Sequence, residues 1–214
     1  MTGLADGVNQ SNRAPVIGLA GGIAAGKSLV ADELRRLGAL VIDSDELIHQ
    51  ELAKREVVEA LRGWWGEAAC GSDGRVDRRK IGEIVFNDVA ERVRLESYLH
   101  PRIEARRREM MAACDGDANV RAVVINAPLL YEVGLDAACD VVIFVECDRA
   151  KRVARAGNTR GWTEAEYDRR EKAQKPLDAK AAAADHTVVN NSTVDALRSQ
   201  IQTLFAQLVS RRTG

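Results

Sequence analysis

Residues 16–28 read VIGLAGGIAAGKS, a short apolar run that enters a glycine-rich turn and leaves it through Gly-Lys-Ser. From Gly21 the segment fits the spacing GxxxxGK[ST], a P-loop. The spacing has a physical reason. Successive backbone N–H groups must curl around phosphate oxygens with no Cβ in the way, and Gly21, Gly22 and Gly26 give that freedom around Ile23, Ala24 and Ala25. Lys27 sets an ammonium against the outer phosphates of ATP, and the Ser28 hydroxyl is placed to coordinate the Mg²⁺ that bridges them. A helix opening here aims the positive end of its dipole at the same anion. A plain glycine-rich turn needs neither a strand before it nor a helix after it. Here both are legible, because Leu29, Leu34 and Leu37 recur at helical spacing and Gly38 follows them as a C-cap candidate.

The 214 residues suit one domain, or one domain with a lid and a small insertion. Thirty-one basic and 32 acidic side chains leave a net charge of −1, so no global field recruits nucleic acid or an anionic membrane, and neither is expected as a partner. The cysteines at 70, 114, 139 and 147 form no CxxC pair and lie far from the histidines, which argues against structural zinc and for a reducing, cytoplasmic setting. Cys139 and Cys147 flank an apolar run and are expected to pack as small hydrophobes. Residues 1–15 have no apolar signal core and read as a disordered tail, and no later stretch reaches the ~18 apolar residues of a membrane span.

Along the chain, a short strand at Ala39–Ile42 leads into Asp43-Ser44-Asp45, two carboxylates at the edge of an open α/β sheet where ligands bind. Ser44 or Asp45 as cap of the next helix is the alternative. Glu46–Gly63 reads as helix with a break near 54–56, and a loop holding Gly66, Gly71 and Gly74 leads to a second helical stretch over Asp77–Met111. His100-Pro101 is expected to interrupt it, because proline disfavours helix in the residue before it. The basic run Arg102–Arg108 reads as a solvated face, and Trp64-Trp65 as buried core.

Arg121–Ala127 and Asp140–Glu146 are continuous β-branched runs, the signature of strands buried on both faces of a parallel sheet. A helix restarts at Arg149–Arg155, a polar break is expected at Ala156–Gly161, and Thr163 with Glu166 forms a capping box for a helix through Gln174. A last strand, His186–Val189, precedes Asn190-Asn191-Ser192 and a terminal helix to about Val209, with Leu197, Ile201, Leu204, Phe205 and Leu208 facing the core.

The ordered set of segments resembles the dephospho-CoA kinase family over roughly residues 16–192. It comprises GLAGGIAAGKS, VIDSDELIHQ, GRVDRRKIGEIVFND, LHPRI, NAPLLYEVGL, and Arg170, Gln174, Lys180, Ala184-Asp185 and Asn190. That resemblance implies a P-loop kinase with a five-stranded parallel sheet, helices on both faces, a helical insertion that binds the acceptor, and a lid. It further implies one kinase domain over 16–209, with a core of about 16–55 and 120–209, a CoA-binding subdomain of about 56–119 and a lid of about 155–175. The implied activity is ATP-dependent phosphorylation of the ribose 3′-hydroxyl of dephospho-CoA by a monomer.

On the same resemblance, Asp45 accepts the hydroxyl proton, and Arg155 first, Arg160 second, close over the transferring phosphoryl group, each with a surface arginine as the alternative. Arg170 supports the lid. His100 shapes the acceptor pocket or is a plain helix-end histidine. Pro128 and Leu129 belong to the acceptor side, and Asn190 to an adenine-side loop or an N-cap. Two departures stand out. Asn126 occupies a position that is often acidic in the family, leaving Asp43, Asp45 or Glu132 to contact the water shell of Mg²⁺, and 157–162 is longer or shifted relative to the usual lid. Another small-metabolite or nucleoside monophosphate kinase is the competing reading. A GTP-dependent switch is disfavoured, because neither NKxD nor DxxG occurs.

Overall fold

The computed structural model describes residues 13–71 and 74–210. Most of the expected 1–15 tail therefore lies outside the described residues. The chain divides into two compact units, one made of the chain up to Ile42 and from Cys114 onward, the other of Asp43–Ala113.

The first unit is a five-stranded parallel sheet in the order β2-β3-β1-β4-β5. β1 is Val16–Gly21, β2 Ala39–Asp43, β3 Ala122–Asn126, β4 Val141–Glu146 and β5 His186–Val189. Every residue of β1 and β3 is buried, as unbroken apolar runs require. β1 is central, with Gly18 in register with Ile125 of β3 on one side and with Val142 of β4 on the other. Its C-terminal end therefore opens at the position in an α/β sheet where ligands bind.

Two helices of this unit, α1 (Lys27–Arg36) and α9 (Val194–Ser210), pack against each other. They cover the sheet face to which Ile17, Leu19, Val124, Ile143 and Val145 point, and Leu34, Leu197, Ile201 and Phe205 complete that core. Leu204 is only partly buried. Ile17 and Leu19 are 0 % exposed, and burial of such side chains contributes roughly 1.5–3 kcal/mol each. Cys147 joins this core, whereas Cys139 stands half-buried over Gly18 on the other face.

The unit Asp43–Ala113 is helical: α2 (Ser44–Leu52), α3 (Arg55–Trp65), α4 (Arg78–Asn87) and α5 (Val89–Ala113). The expected break in the first helical stretch falls at Ala53-Lys54. The second stretch is two helices parted at Asp88, whose carboxylate accepts from Ala90 N–H at 2.8 Å and Glu91 N–H at 3.2 Å. The expectation of a break at His100-Pro101 is corrected, because α5 runs through Pro101. An interior proline costs about 3 kcal/mol, and the buried Leu99 and Ile103 on either side of it offset that cost by packing.

Trp64 and Trp65 are half-buried rather than core. The Arg94 guanidinium lies 4.2 Å from the Trp64 ring centre, and the Trp65 indole N–H donates to Glu91 at 2.7 Å. Both tryptophans keep one side toward charged partners. Within the basic run, Arg107 is buried against Glu104, while Arg106 and Arg108 are exposed.

After β4 the sheet unit continues with α6 (Arg149–Arg160), α7 (Glu164–Lys172) and α8 (Leu177–Ala182). The polar break expected at 156–161 does not occur. α6 continues to Arg160 because Ala156 is fully buried, and it ends only at Gly161, whose φ of +68° caps it. Thr163 caps α7 by accepting from Glu166 N–H at 3.2 Å. The Glu166 carboxylate binds Arg169 and Arg170 rather than completing a capping box. Among the described residues no helix is long and apolar enough to cross a membrane.

Candidate active site

The loop between β1 and α1 takes the conformation its glycines allow. Gly21 has φ +143°, Ala24 +57° and Gly26 +101°. A Cβ on Gly21 would stand 2.7 Å from the Val145 carbonyl oxygen, and one on Gly26 2.2 Å from Asn190 Nδ2. Glycine is therefore required at both positions by contact as well as by dihedral angle. Ala24 holds a left-handed conformation without that excuse, a strain of roughly 1–2 kcal/mol in the middle of the turn.

Lys27 folds its ammonium back over the loop and donates to the carbonyls of Gly21 and Gly22, both at 3.0 Å. The start of α1 carries no side-chain cap and no acidic residue in its first turn. Ser28 is exposed in that same turn. Amides of an opening helix, an ammonium and a hydroxyl thus converge where the motif places a phosphate chain, with no carboxylate of the helix start to repel it.

Donors from the other elements of this unit reach the loop from the side of its carbonyls. Buried Asn190, directly after β5, donates from Nδ2 to the Ala25 carbonyl at 2.8 Å, and its own N–H donates to the Glu146 carbonyl at 2.8 Å. It is not a helix cap, since α9 begins at Val194 and Thr193 Oγ1 accepts from Ala196 N–H at 3.2 Å. Arg155, half-buried on α6, donates to the Ala25 carbonyl at 3.3 Å, with longer contacts of 3.5 Å to the carbonyls of Ala24 and Asn190.

Arg152, one turn earlier and buried, donates to the Cys147 carbonyl at 2.9 Å and also binds the Tyr167 hydroxyl and the Glu171 carboxylate. The Tyr167 hydroxyl lies 3.4 Å from the Ile23 carbonyl. Burial, and then the hydrogen bond to Glu171, push the phenol pKa upward, so Tyr167 is neutral and donates its proton to Glu171 at 2.9 Å. Sequence reasoning missed Arg152, Tyr167 and Glu171. They come from two helices, and only the tertiary fold brings them under the loop.

Arg160 is exposed at the end of α6 with its guanidinium 4.8 Å from the Trp162 ring centre, and Arg170 approaches the same ring at 4.3 Å. Arg155 and Arg160 therefore occupy different surroundings, the first against the loop and the second on the outer face of the α6–α7 corner.

At the end of β3, Asn126 is buried in register with Leu19. Pro128 and Leu129 are exposed in the turn that follows it. Glu132 receives the Lys180 ammonium at 2.7 Å and Lys175 N–H at 2.9 Å. Burial pushes its carboxyl pKa up, but these donors outweigh burial and hold it below its ordinary value. A carboxylate committed to a buried lysine is poorly suited to a metal's water shell.

In the unit Asp43–Ala113, the cap of α2 is Asp43, not Ser44 or Asp45. Its carboxylate accepts from Asp45 N–H at 2.9 Å and Glu46 N–H at 3.2 Å. Asp45 is exposed in the first turn of α2, and His100 is exposed on α5. The Ser44 hydroxyl is buried without a hydrogen-bond partner among the described residues.

Comparison with known proteins agrees with this geometry. The family model for dephospho-CoA kinase matches residues 15–196. The curated dephospho-CoA kinase of Geobacter sulfurreducens is 37% identical over 197 residues, covering 90% of this chain and 98% of that protein. The one from Anaeromyxobacter dehalogenans is 40% identical over 195 residues, covering 90% and 92%. Among solved structures, a Thermus thermophilus protein superposes with a TM-score of 0.78 at 30% identity, over 92% of this chain and 98% of that one. A dephospho-CoA kinase from Campylobacter jejuni, at 22% identity and a TM-score of 0.64 over 91% and 97%, shares the fold. With a phosphate-binding loop at the end of the central strand and relatives matched along nearly their whole length, the chain belongs to the dephospho-CoA kinase family.

Proposed function

We propose that the chain moves the γ-phosphoryl group of ATP onto the ribose 3′-hydroxyl of dephospho-CoA, releasing coenzyme A and ADP, the last step of coenzyme A biosynthesis. The observation that carries this reading is the family match over residues 15–196, which spans both the P-loop and the acceptor-side segments. Phosphoryl transfer proceeds through a loose transition state, so positioning and charge stabilisation dominate. The loop amides and Lys27 hold the triphosphate. The exposed Ser28 hydroxyl beside Lys27 would help hold Mg²⁺, which would offset negative charge on the triphosphate.

Asp45, in the first turn of the helix that follows β2, takes the proton of the attacking hydroxyl. We assign the unit Asp43–Ala113, with His100, to the acceptor, along with the exposed Pro128 and Leu129 of the sheet unit. The lid is the α6–α7 region, about 155–175. Arg160 is its arginine for the transferring phosphoryl group, because Arg155 already donates to loop carbonyls. A cytoplasmic monomer without a nucleic-acid partner is the setting in which we place it.

A coupled assay of ADP release with Mg-ATP and, in turn, dephospho-CoA, AMP, CMP and shikimate tests the reading. Turnover is expected with dephospho-CoA alone. Turnover with a nucleoside monophosphate and none with dephospho-CoA would hand the chain to the competing class of small-metabolite kinases.

A further inference from the structure

A trans peptide group is planar, so the carbonyl of one residue and the N–H of the next point in opposite directions. Fixing the carbonyls of a loop therefore aims its amides. In the stretch Gly22–Ala25 the carbonyls of Gly22, Ala24 and Ala25 each have a donor. Gly22 accepts from Ala25 N–H at 3.2 Å and from Lys27, Ala24 faces Arg155, and Ala25 takes both Asn190 Nδ2 and Arg155. The amide aimed by the Ala25 carbonyl is that of Gly26.

We infer that Asn190 and Arg155 are positioning residues that hold the P-loop by its carbonyls and so pre-orient its amides for the triphosphate. The layer is itself braced. The Arg155 guanidinium reaches the Asn190 carbonyl. Gly26 leaves no room for a Cβ because Asn190 occupies that space. The strained Ala24 is held in place from the same side. Such a layer acts on nucleotide affinity in the ground state, whereas an arginine that meets only the transferring phosphoryl group acts on kcat.

The inference rests on the nucleotide half of the proposed function alone, and ADP binding, which needs no acceptor, tests it separately. Asn190→Ala and Arg155→Lys are compared with the parent by calorimetric titration with ADP, by steady-state kinetics and by ligand-free melting. Both variants are expected to weaken ADP binding and raise the KM for ATP about 5–20-fold. The KM for dephospho-CoA should be unchanged and kcat at saturation within about threefold, in line with loss of one or two ground-state hydrogen bonds. Arg155→Lys reports on the same layer by itself should Asn190→Ala fail to fold. ADP affinity equal to the parent's with only a lowered melting temperature overturns the inference. So does a lowered kcat with ADP affinity kept in Arg155→Lys, which would make that arginine the phosphoryl contact instead.

Discussion

Lys27 holds two neutral carbonyls, those of Gly21 and Gly22, at 3.0 Å each. A phosphate oxygen offers the same ammonium a full charge, so the exchange favours ligand over loop. Lys27→Ala is expected to lower kcat/KM about 10²–10³-fold, the size of losing one preorganised donor. The melting temperature should shift by only a few degrees, and activity and stability lost in step would instead mark a structural lysine. For Asp45→Asn, kcat should fall about 10²–10⁴-fold with ADP affinity kept, and an unchanged kcat removes Asp45 from the base role. At this scale the loop's residues were readable from one pattern, because phosphate chemistry dictates residue type at fixed spacing. The residues behind the loop were not, because Arg152, Tyr167 and Glu171 look like ordinary members of charged helices until the fold buries the first two and brings the third against them.

Helix α5 shows how an element can override its local signals. His100-Pro101 reads as a boundary, yet the helix from Val89 to Ala113 passes through it. Pro101→Ala restores an N–H to the helix ladder and is expected to stabilise the unit Asp43–Ala113 by roughly 1–2 kcal/mol, the interior-proline penalty less the proline's entropic gain in the unfolded chain. Chemical denaturation followed at the tryptophans of that unit measures it, and a lower midpoint in the variant would mean that Pro101 packs in a way alanine cannot. α6 went the same way. Residues 156–161 look polar and breakable, but Ala156 is fully buried and only Gly161 ends the helix. That extension carries Arg160 a full turn beyond Arg155 and gives the two arginines, ranked Arg155 first from sequence, different surroundings.

Across the whole molecule, acid is expected to loosen the sheet unit through Glu132. Burial would raise its pKa, but Lys180 and the Lys175 amide hold the folded value below the unfolded one. A depressed carboxylate contributes stability that is present above its unfolded pKa, about 4.3–4.5, and is lost as pH falls through the folded value. Urea midpoints taken from pH 6 downward should decline below about pH 4.5, and Glu132→Gln should flatten that decline while lowering stability at pH 6. An identical acid limb in the variant would assign the effect to other carboxylates.

The two-sided burial of the strands, the phosphate loop and the family were legible in the sequence because each depends on residue type at short spacing: unbroken β-branched runs, glycines, a lysine and a hydroxyl. Tertiary structure alone decided that a proline stays helical, that Glu132 belongs to Lys180, and that Asn190 backs the loop. Those outcomes depend on contacts between residues far apart in the chain, Asn190 and Ala25 being 165 positions apart. No local propensity encodes which buried donor will meet which carbonyl.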